Sequence, residues 1–226
     1  MATEQQQLTT RFAGELAQLD LPDTAAQLQT LARQLADYTL LLRDNSRALG
    51  LISAADSEDL DRLVRRHIVD SIAPVALLAA AGPALRIADL GSGAGLPGVP
   101  LALLGREVIA GVLFVERRAK RARFLEQVVA QFDLPASVHD RDLRELVPSD
   151  PIDAVVFRAF RRVDRELLKR LRAVFGPAVP VWAYKGKLVR AREEAETLRE
   201  LGITAQVMPL VVPGLEEERC LLHFTT

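Results

Sequence analysis

Apolar positions in the first eighty residues recur at helical spacings. Gaps of three, four and seven residues predict helices over residues 8–42, with a break at Pro22 and Asp23. A polar, capping-type start at residues 56–59 opens a second amphipathic segment, which runs to about Ala80 and ends at Gly82. The first part of the chain is therefore expected to be helical. The apolar positions that form the first pattern are Leu16, Leu19, Leu28, Leu31, Leu35, Tyr38 and Leu42.

From residue 85 onward, short apolar segments alternate with amphipathic ones. This alternation is typical of an α/β fold with a parallel, doubly wound sheet. Pro213 and Gly214 join the last two strands in a hairpin, which adds an antiparallel edge. We predict a helical segment over residues 1–82 and one Rossmann-like domain over residues 83–226. The predicted strands are 85–90, 108–115, 136–139, 154–157, 179–184, 203–212 and 219–224, and the predicted helices are 99–104, 119–132, 163–174 and 187–201.

Length and composition exclude several classes of protein. A chain of 226 residues, 49% of them apolar, can bury one substantial core. A single cysteine, Cys220, excludes an internal disulfide framework and a cysteine-rich metal site. The start of the chain lacks the pattern of a signal peptide, and the longest apolar run, 72–81, is shorter than the roughly 18 to 20 residues of a membrane span. We expect a cytoplasmic protein that does not contact membranes.

The net charge of −1 conceals local clusters of basic residues. Taken singly, each cluster is most simply interpreted as a solvated helix face. The alternative is that several clusters share one face that binds nucleic acid. The clusters lie within residues 62–66, 117–123, 161–172 and 185–192.

A glycine-rich turn follows the first predicted strand. Gly91, Gly93 and Gly95 follow Asp89 in the pattern D-x-G-x-G-x-G, at the strand end where α/β folds bind nucleotide-like ligands. Glycine permits a positive φ and a close approach of the backbone to a ligand. The spacing differs from the G-x-G-x-x-G of dinucleotide sites, and the acid before it suits a cofactor without phosphate. The pattern indicates a class I methyltransferase that binds S-adenosylmethionine.

Two further acidic positions support this interpretation. Glu116 closes the next strand, about 20 residues beyond the glycines, where an acid can accept hydrogen bonds from both ribose hydroxyls. Arg141 and Asp142 follow the third strand, where a polar residue usually meets the adenine amino group. A helix cap is the structural alternative for Glu116, and a surface turn is the alternative for the Arg141-Asp142 pair.

Several motifs together resemble the RsmG (GidB) family of small-subunit ribosomal RNA methyltransferases. The most specific are R-H-x-x-D-S and the extension G-L-P-G-V-P of the glycine turn. Family members usually carry Asn-Leu-Thr or Asn-Leu-Ser before R-H-x-x-D-S, whereas this chain has Leu-Gly-Leu-Ile-Ser at 49–53. The matching segments are 66–71, 89–101, 120–125, 158–160, 185–186 and 218–219.

The resemblance implies methylation of N7 of one guanine in the decoding region of 16S ribosomal RNA, with S-adenosylmethionine as donor. By position, Gly91 and Leu96 would line the cofactor. Asp142 and Leu143 would meet the adenine, and Arg158 would lie at the mouth of the active site. The partner would be 16S ribosomal RNA or the small ribosomal subunit, and we expect a monomer.

Guanine N7 carries a lone pair and no proton, so its methylation needs no general base. The protein must hold the base in line with the methyl group. We therefore name Arg158 and Lys185 as catalytic, and assign them with Arg219 to phosphates or to the O6 edge of guanine. His67, Lys120 and Arg141 are further candidates for RNA contact. No metal is expected, because the three histidines lack neighbours with ligand spacing.

Two other functions fit the same sequence. One is a class I methyltransferase that acts on a small molecule or a protein, which would not depend on folded RNA. The other is a non-catalytic module that binds RNA or the ribosome, which would leave S-adenosylmethionine unconsumed.

Overall fold

Two long helices begin the chain in the computed structural model, which describes residues 2–21 and 25–226. Helix α1 (Glu4–Leu16) starts with a capping box, in which Thr3 and Gln6 satisfy each other's backbone N–H groups. Helix α2 (Ala25–Leu49) packs against α1. The predicted helical character is confirmed for residues 8–16 and 25–42, whereas residues 17–21 are not helical. The predicted break at Pro22 and Asp23 lies outside the described residues.

Residues 53–80 form a series of short helical pieces, so the prediction of one continuous helix there is wrong. Polar side chains cap the first two pieces at their N-termini. Ser53 Oγ accepts from the Asp56 N–H, and the Asp59 carboxylate accepts from the N–H groups of Asp61 and Arg62. Each polar side chain thus starts a new turn. Pro74 separates the last two pieces. In order they are α3 (Ala54–Ser57), α4 (Leu60–Arg62), a π-helix (Leu63–Val69), α5 (Asp70–Ile72) and α6 (Val75–Ala79).

The remainder of the chain forms a seven-stranded sheet in the order β3-β2-β1-β4-β5-β7-β6. Strands β1 to β5 are parallel, and β7 pairs antiparallel with both β5 and β6. The predicted parallel sheet and antiparallel hairpin are confirmed, and β6 forms the outer edge. The strands are β1 (Leu85–Leu90), β2 (Ile109–Val115), β3 (Ala136–His139), β4 (Ala154–Arg158), β5 (Pro180–Lys185), β6 (Ala205–Leu210) and β7 (Arg219–Thr225).

Alternate strand residues contribute to different faces of the sheet. In β5, Trp182 and Tyr184 join the core cluster formed with α1, α2 and the first part of the chain, whereas Val181 and Ala183 join the cluster on the other face. The helices between the strands are α7 (Gly98–Ala102), α8 (Ala119–Gln131), α9 (Arg165–Phe175) and α10 (Leu188–Glu200).

The amino-terminal helices and the sheet share one core. Phe12, Leu35 and Tyr38 belong to the same buried cluster as Ile87 and Phe114 of the sheet. The division at residue 82 marks a change in the type of element, and its status as a domain boundary stays a prediction. No helix in the described part of the chain is long and apolar enough to cross a membrane.

Candidate active site

The glycine turn connects β1 to α7 through left-handed backbone. Gly91 has φ +67°, Gly93 has φ +55° and Gly95 has φ +86°, so the predicted positive φ is confirmed. A Cβ on Gly91 would collide with the ring of Phe160, and a Cβ on Gly95 would lie 2.5 Å from Val99 Cγ2. Gly91 and Gly95 therefore need glycine for space as well as for conformation.

Two buried carboxylates fix the turn. Asp89 Oδ2 accepts from the Gly98 N–H at 3.0 Å, while its Oδ1 is buried without a hydrogen-bond partner among the described residues. Burial raises the pKa of Asp89 to about 7, although the Gly98 bond and the charge of Arg158 oppose this. Glu116 accepts from the Gly93 N–H at 3.0 Å and from the Arg118 N–H at 2.8 Å. Both acids therefore organise the backbone of the turn.

A cavity of about 600 Å³ opens beside the turn, and we call it the glycine-turn cavity. Four predicted cofactor residues line it, namely Gly91, Glu116, Asp142 and Leu143. The Asp142 carboxylate caps the 3₁₀ turn Leu143–Glu145 and pairs with Arg144, so its side chain is already engaged. The other five predicted cofactor residues do not line it; they are Asp89, Gly93, Gly95, Leu96 and Arg158.

A second cavity of about 860 Å³ lies at the carboxyl ends of β4 and β5, and we call it the basic cavity. It adjoins the first, because Ala159, Phe160 and Arg161 line both. Arg158 and Lys185 both line the basic cavity, as their positions at the ends of neighbouring strands predict. Arg158 does not line the glycine-turn cavity. The cationic and histidine side chains of the basic cavity are Arg66, His67, Arg158, Arg161, Arg162, Lys185, Lys187, Arg190 and Arg219.

Asp70 holds two of these arginines. Its Oδ2 lies 3.2 Å from Arg158 Nη1 and its Oδ1 lies 3.3 Å from Arg219 Nε, and its side chain is only 5% exposed. Burial raises the pKa of Asp70, an effect that both guanidinium groups oppose. One carboxylate offsets the charge of only one of the two guanidinium groups, so this cluster keeps a net positive charge at the cavity.

The π-helix is joined to β4 through Arg158. Arg158 Nη1 donates to the backbone oxygens of Arg66 (3.4 Å) and His67 (3.2 Å), and its Nη2 donates to His67 Nδ1 at 3.2 Å. His67 Nε2 then donates to Asp56 Oδ2 at 3.2 Å. Burial, followed by the charge of Arg158, lowers the pKa of His67 to about 4, so the ring is neutral near pH 7. The R-H-x-x-D-S motif thus surrounds Arg158.

Lys185 is also paired. Its Nζ lies 2.7 Å and 3.0 Å from the two carboxylate oxygens of Glu194, which also accepts from the Val163 N–H. Lys185 therefore ties the end of β5 to α10. Lys120 is exposed and lines neither cavity, and Arg141 lines the glycine-turn cavity. The structure does not bring these two to the basic cavity.

Three cations at the basic cavity remain available to a ligand. Arg162, Lys187 and Arg190 line it, and none has an ion pair within residues 2–21 and 25–226. All three belong to the basic clusters 161–172 and 185–192 of the sequence. Other members of these clusters, such as Arg161 and Lys185, form ion pairs. The sequence alone does not indicate which of these cations form ion pairs and which remain free.

Comparison with known proteins finds sequences similar to this chain. A family model described as "GidB: rRNA small subunit methyltransferase G" matches residues 31–222. Two proteins named "Ribosomal RNA small subunit methyltransferase G" are similar over most of their length. One, from Azoarcus sp. (strain BH72), is 33% identical over 223 residues, covering 94% of this chain and 96% of the relative. Another, from Treponema pallidum (strain Nichols), is 35% identical over 224 residues, covering 95% and 93%.

Among solved structures, a SAM dependent methyltransferase from Aquifex aeolicus is similar in fold. It superposes with a TM-score of 0.55 at 16% identity, covering 70% of this chain and 92% of that one. At this identity the likeness concerns the fold alone. It agrees with the mostly parallel sheet and with the interspersed helices described above.

Proposed function

Because the chain belongs to the GidB family of rRNA small subunit methyltransferase G proteins, we propose that it methylates N7 of one guanine in the decoding region of 16S ribosomal RNA. S-adenosylmethionine is the donor. The observation that carries the proposal is the pair of adjoining cavities with a common wall at Ala159, Phe160 and Arg161. One is built on a glycine turn, and the other is rich in cations. A methyl group can pass between them.

The glycine-turn cavity fits the cofactor. Its lining offers the Gly91 backbone, the Glu116 carboxylate and the backbone of Asp142 and Leu143. The buried Oδ1 of Asp89, in the strand that leads into the turn, is an acceptor that the described residues leave unused. When bound, S-adenosylmethionine supplies a methyl group on a positively charged sulfur. We assign Gly91, Glu116, Asp142 and Leu143 to contact with the cofactor.

The basic cavity fits an acceptor that needs no base. Both ring nitrogens of His67 are engaged, and the carboxylates of Asp70 and Glu194 are held in ion pairs. Among the described carboxylates that line this cavity, only Glu193 has no ion pair, and it is exposed to solvent. Abstraction of a proton would require a positioned base. Guanine N7 has no proton to lose, so correct placement is enough.

We assign positioning roles to the paired cations. Arg158 holds the π-helix through the oxygens of Arg66 and His67, and Asp70 holds Arg219 beside it. Lys185 holds α10 through Glu194. Together they shape the cavity into which the RNA inserts its base.

We place the reaction in the cytoplasm, with a monomer acting on 16S ribosomal RNA or on the small subunit that contains it.

The decisive experiment maps 7-methylguanosine in ribosomal RNA from cells with and without this protein. We expect one modified guanine of 16S ribosomal RNA to lose its methyl group in the deletion strain and to regain it when the wild-type protein is supplied. An unchanged map would contradict the proposal. Transfer of a labelled methyl group to protein or to a small molecule would favour the first alternative. Binding of ribosomal RNA without consumption of S-adenosylmethionine would favour the non-catalytic one.

A further inference from the structure

Phe160 stands at the wall between the two cavities. Among the aromatic residues of the described chain, it alone lines both cavities, because Tyr184 lines only the basic one. Tyr184 is buried, and its hydroxyl donates to the Ser71 backbone oxygen at 2.9 Å. We propose that the ring of Phe160 is the surface on which the target guanine stacks during methyl transfer. This inference rests on the proposed function.

The ring of Phe160 is held in place by its neighbours. One side packs against Gly91, where any Cβ would collide with it. The buried ring of Phe157 supports it at a centroid distance of 5.9 Å and an interplanar angle of 59°. Ala159 before it is exposed and has φ +52°, a left-handed conformation that is unfavourable for a residue with a Cβ. Such strain persists where the surrounding structure fixes it and is frequent at functional sites.

The chemistry requires the acceptor at this wall. The new bond forms between the lone pair of guanine N7 and the methyl carbon while the carbon–sulfur bond breaks, so the reacting atoms must nearly touch. Only the residues common to both cavities adjoin the two partners. A base that enters the basic cavity therefore reaches the glycine-turn cavity at Phe160.

An aromatic ring also suits the positive charge that methyl transfer places on the guanine. No proton leaves the guanine, so the positive charge passes from sulfur to the purine. The arginines of the basic cavity would repel a cationic purine, whereas the face of an aromatic ring attracts a cation. Phe160 can therefore stack on the base before the transfer and stabilise it as the charge arrives.

The test compares Phe160→Leu with Phe160→Tyr, using Phe175→Leu as a control. Phe175 is half-buried like Phe160 and lines neither cavity. The measurements are the single-turnover rate at subsaturating concentrations of unmethylated small subunits, the affinity for S-adenosylmethionine by calorimetry, and thermal unfolding. Since stacking on an aromatic side chain stabilises a base by about 1–3 kcal/mol, Phe160→Leu should lower the rate by at least ~5-fold. Cofactor affinity should stay within about twofold, and Phe160→Tyr and Phe175→Leu should remain near wild type.

Three results would overturn the inference. The first is a wild-type rate for Phe160→Leu. The second is a loss of cofactor affinity as large as the loss of rate, which would make Phe160 part of the cofactor site. The third is a Tyr variant as slow as the Leu variant, because stacking survives that change. A wild-type protein that forms no 7-methylguanosine would instead reject the proposed function.

Discussion

Gly93 has a left-handed backbone conformation and donates a hydrogen bond to Glu116. It has φ +55°, and its N–H donates to Glu116 Oε2. A Cβ there would meet no atom closer than 3.6 Å, so space does not forbid a side chain. The constraint is the left-handed backbone, which a β-branched residue strongly disfavours. We predict that Gly93→Val shifts the turn and weakens S-adenosylmethionine binding at least ~10-fold, or about 1.4 kcal/mol, in calorimetry on a folded protein.

Gly202 provides the matched control. It has φ +75°, lies beyond α10, and a Cβ on it would meet nothing within 4 Å. Gly202→Val imposes similar backbone strain away from the turn, so it should lower stability without changing cofactor affinity. Equal affinities for the two variants would contradict the assigned role of the turn.

Asp70 is a buried carboxylate that pairs with two partly buried guanidinium groups, so its charge should matter greatly for stability. Asp70→Asn leaves Arg158 and Arg219 close together without a counter-charge. Breaking a buried ion pair in this way typically costs about 3–5 kcal/mol in free energy of unfolding, measurable by chemical denaturation. The control is Glu196→Gln, which breaks the exposed pair with Arg199 and should cost at most about 1 kcal/mol. Similar losses for the two variants would show that Asp70 does not hold the site together.

At the scale of elements, the sheet follows from the sequence because its signals are local. Strands 85–90 and 136–139 begin and end where predicted, and the others shift by at most two residues at either end. Short apolar runs bounded by turns and helices leave few alternatives. The helical pieces of residues 53–80 do not follow in the same way. Ser53 and Asp59 compete with Asp56 as caps, and the π-helix is held by Arg158 from a distant strand.

The positions of the site residues were predictable, but their electrostatic states were not. Arg158 and Lys185 follow parallel strands, so their meeting at one edge of the sheet follows from topology. Their partners, Asp70 and Glu194, come from a helical motif and from α10, which no periodicity connects to the strand ends. The sequence therefore indicates which cations gather, whereas tertiary contacts decide which of them are neutralised.

His67, in the π-helix, should make the free energy of unfolding depend on pH. Its pKa is about 4 in the folded protein, because of burial and the Arg158 charge, and about 6.5 in an unfolded chain. The unfolded state therefore binds the proton first as pH falls. The stability contributed by the neutral ring is complete above about pH 6.5 and is lost as pH falls towards about 4.

We predict that His67→Gln has a flatter dependence of unfolding free energy on pH than wild type between about pH 6.5 and 4.5, measured by chemical denaturation. Burial raises the pKa of Asp89 and of Asp70 in both proteins. Asp56, which accepts from His67, has a lowered pKa and titrates below this window, so the difference between the curves there reports on His67. Above about pH 7 the two curves should run parallel. Parallel curves throughout would mean that His67 accepts a proton in the folded state as readily as in the unfolded one.

At the scale of the whole molecule, the amino-terminal helices support the cofactor side of the sheet. The Tyr38 hydroxyl of α2 donates to the Ala94 backbone oxygen at 2.6 Å, inside the glycine turn. Arg121 of α8 donates to the Gly50 backbone oxygen just beyond α2. The helical segment thus packs against the turn as well as against the sheet, and its loss would be expected to disturb the cofactor site.

The free cations of the basic cavity should control how RNA binding responds to salt. Binding releases about one counterion for each phosphate neutralised, so affinity falls as salt rises. Arg162, Lys187 and Arg190 are unpaired in the described chain, whereas Arg158 and Lys185 are held by buried carboxylates. Replacing all three free residues by alanine should reduce the slope of log affinity against log salt by about three.

Arg106 is the control for this measurement. It is exposed, has no ion pair within the described residues, and lies with Arg86 and Pro135 at the opposite end of the sheet. Arg106→Ala should leave the slope unchanged, and the affinity of all variants for S-adenosylmethionine should match wild type. If the triple variant kept the wild-type slope, the phosphates would have to contact another surface. A reduction as large for Arg106→Ala as for a single residue of the basic cavity would mean that the RNA responds to the overall charge of the protein. A difference between the two edges of the sheet is what a defined RNA path across the basic cavity requires.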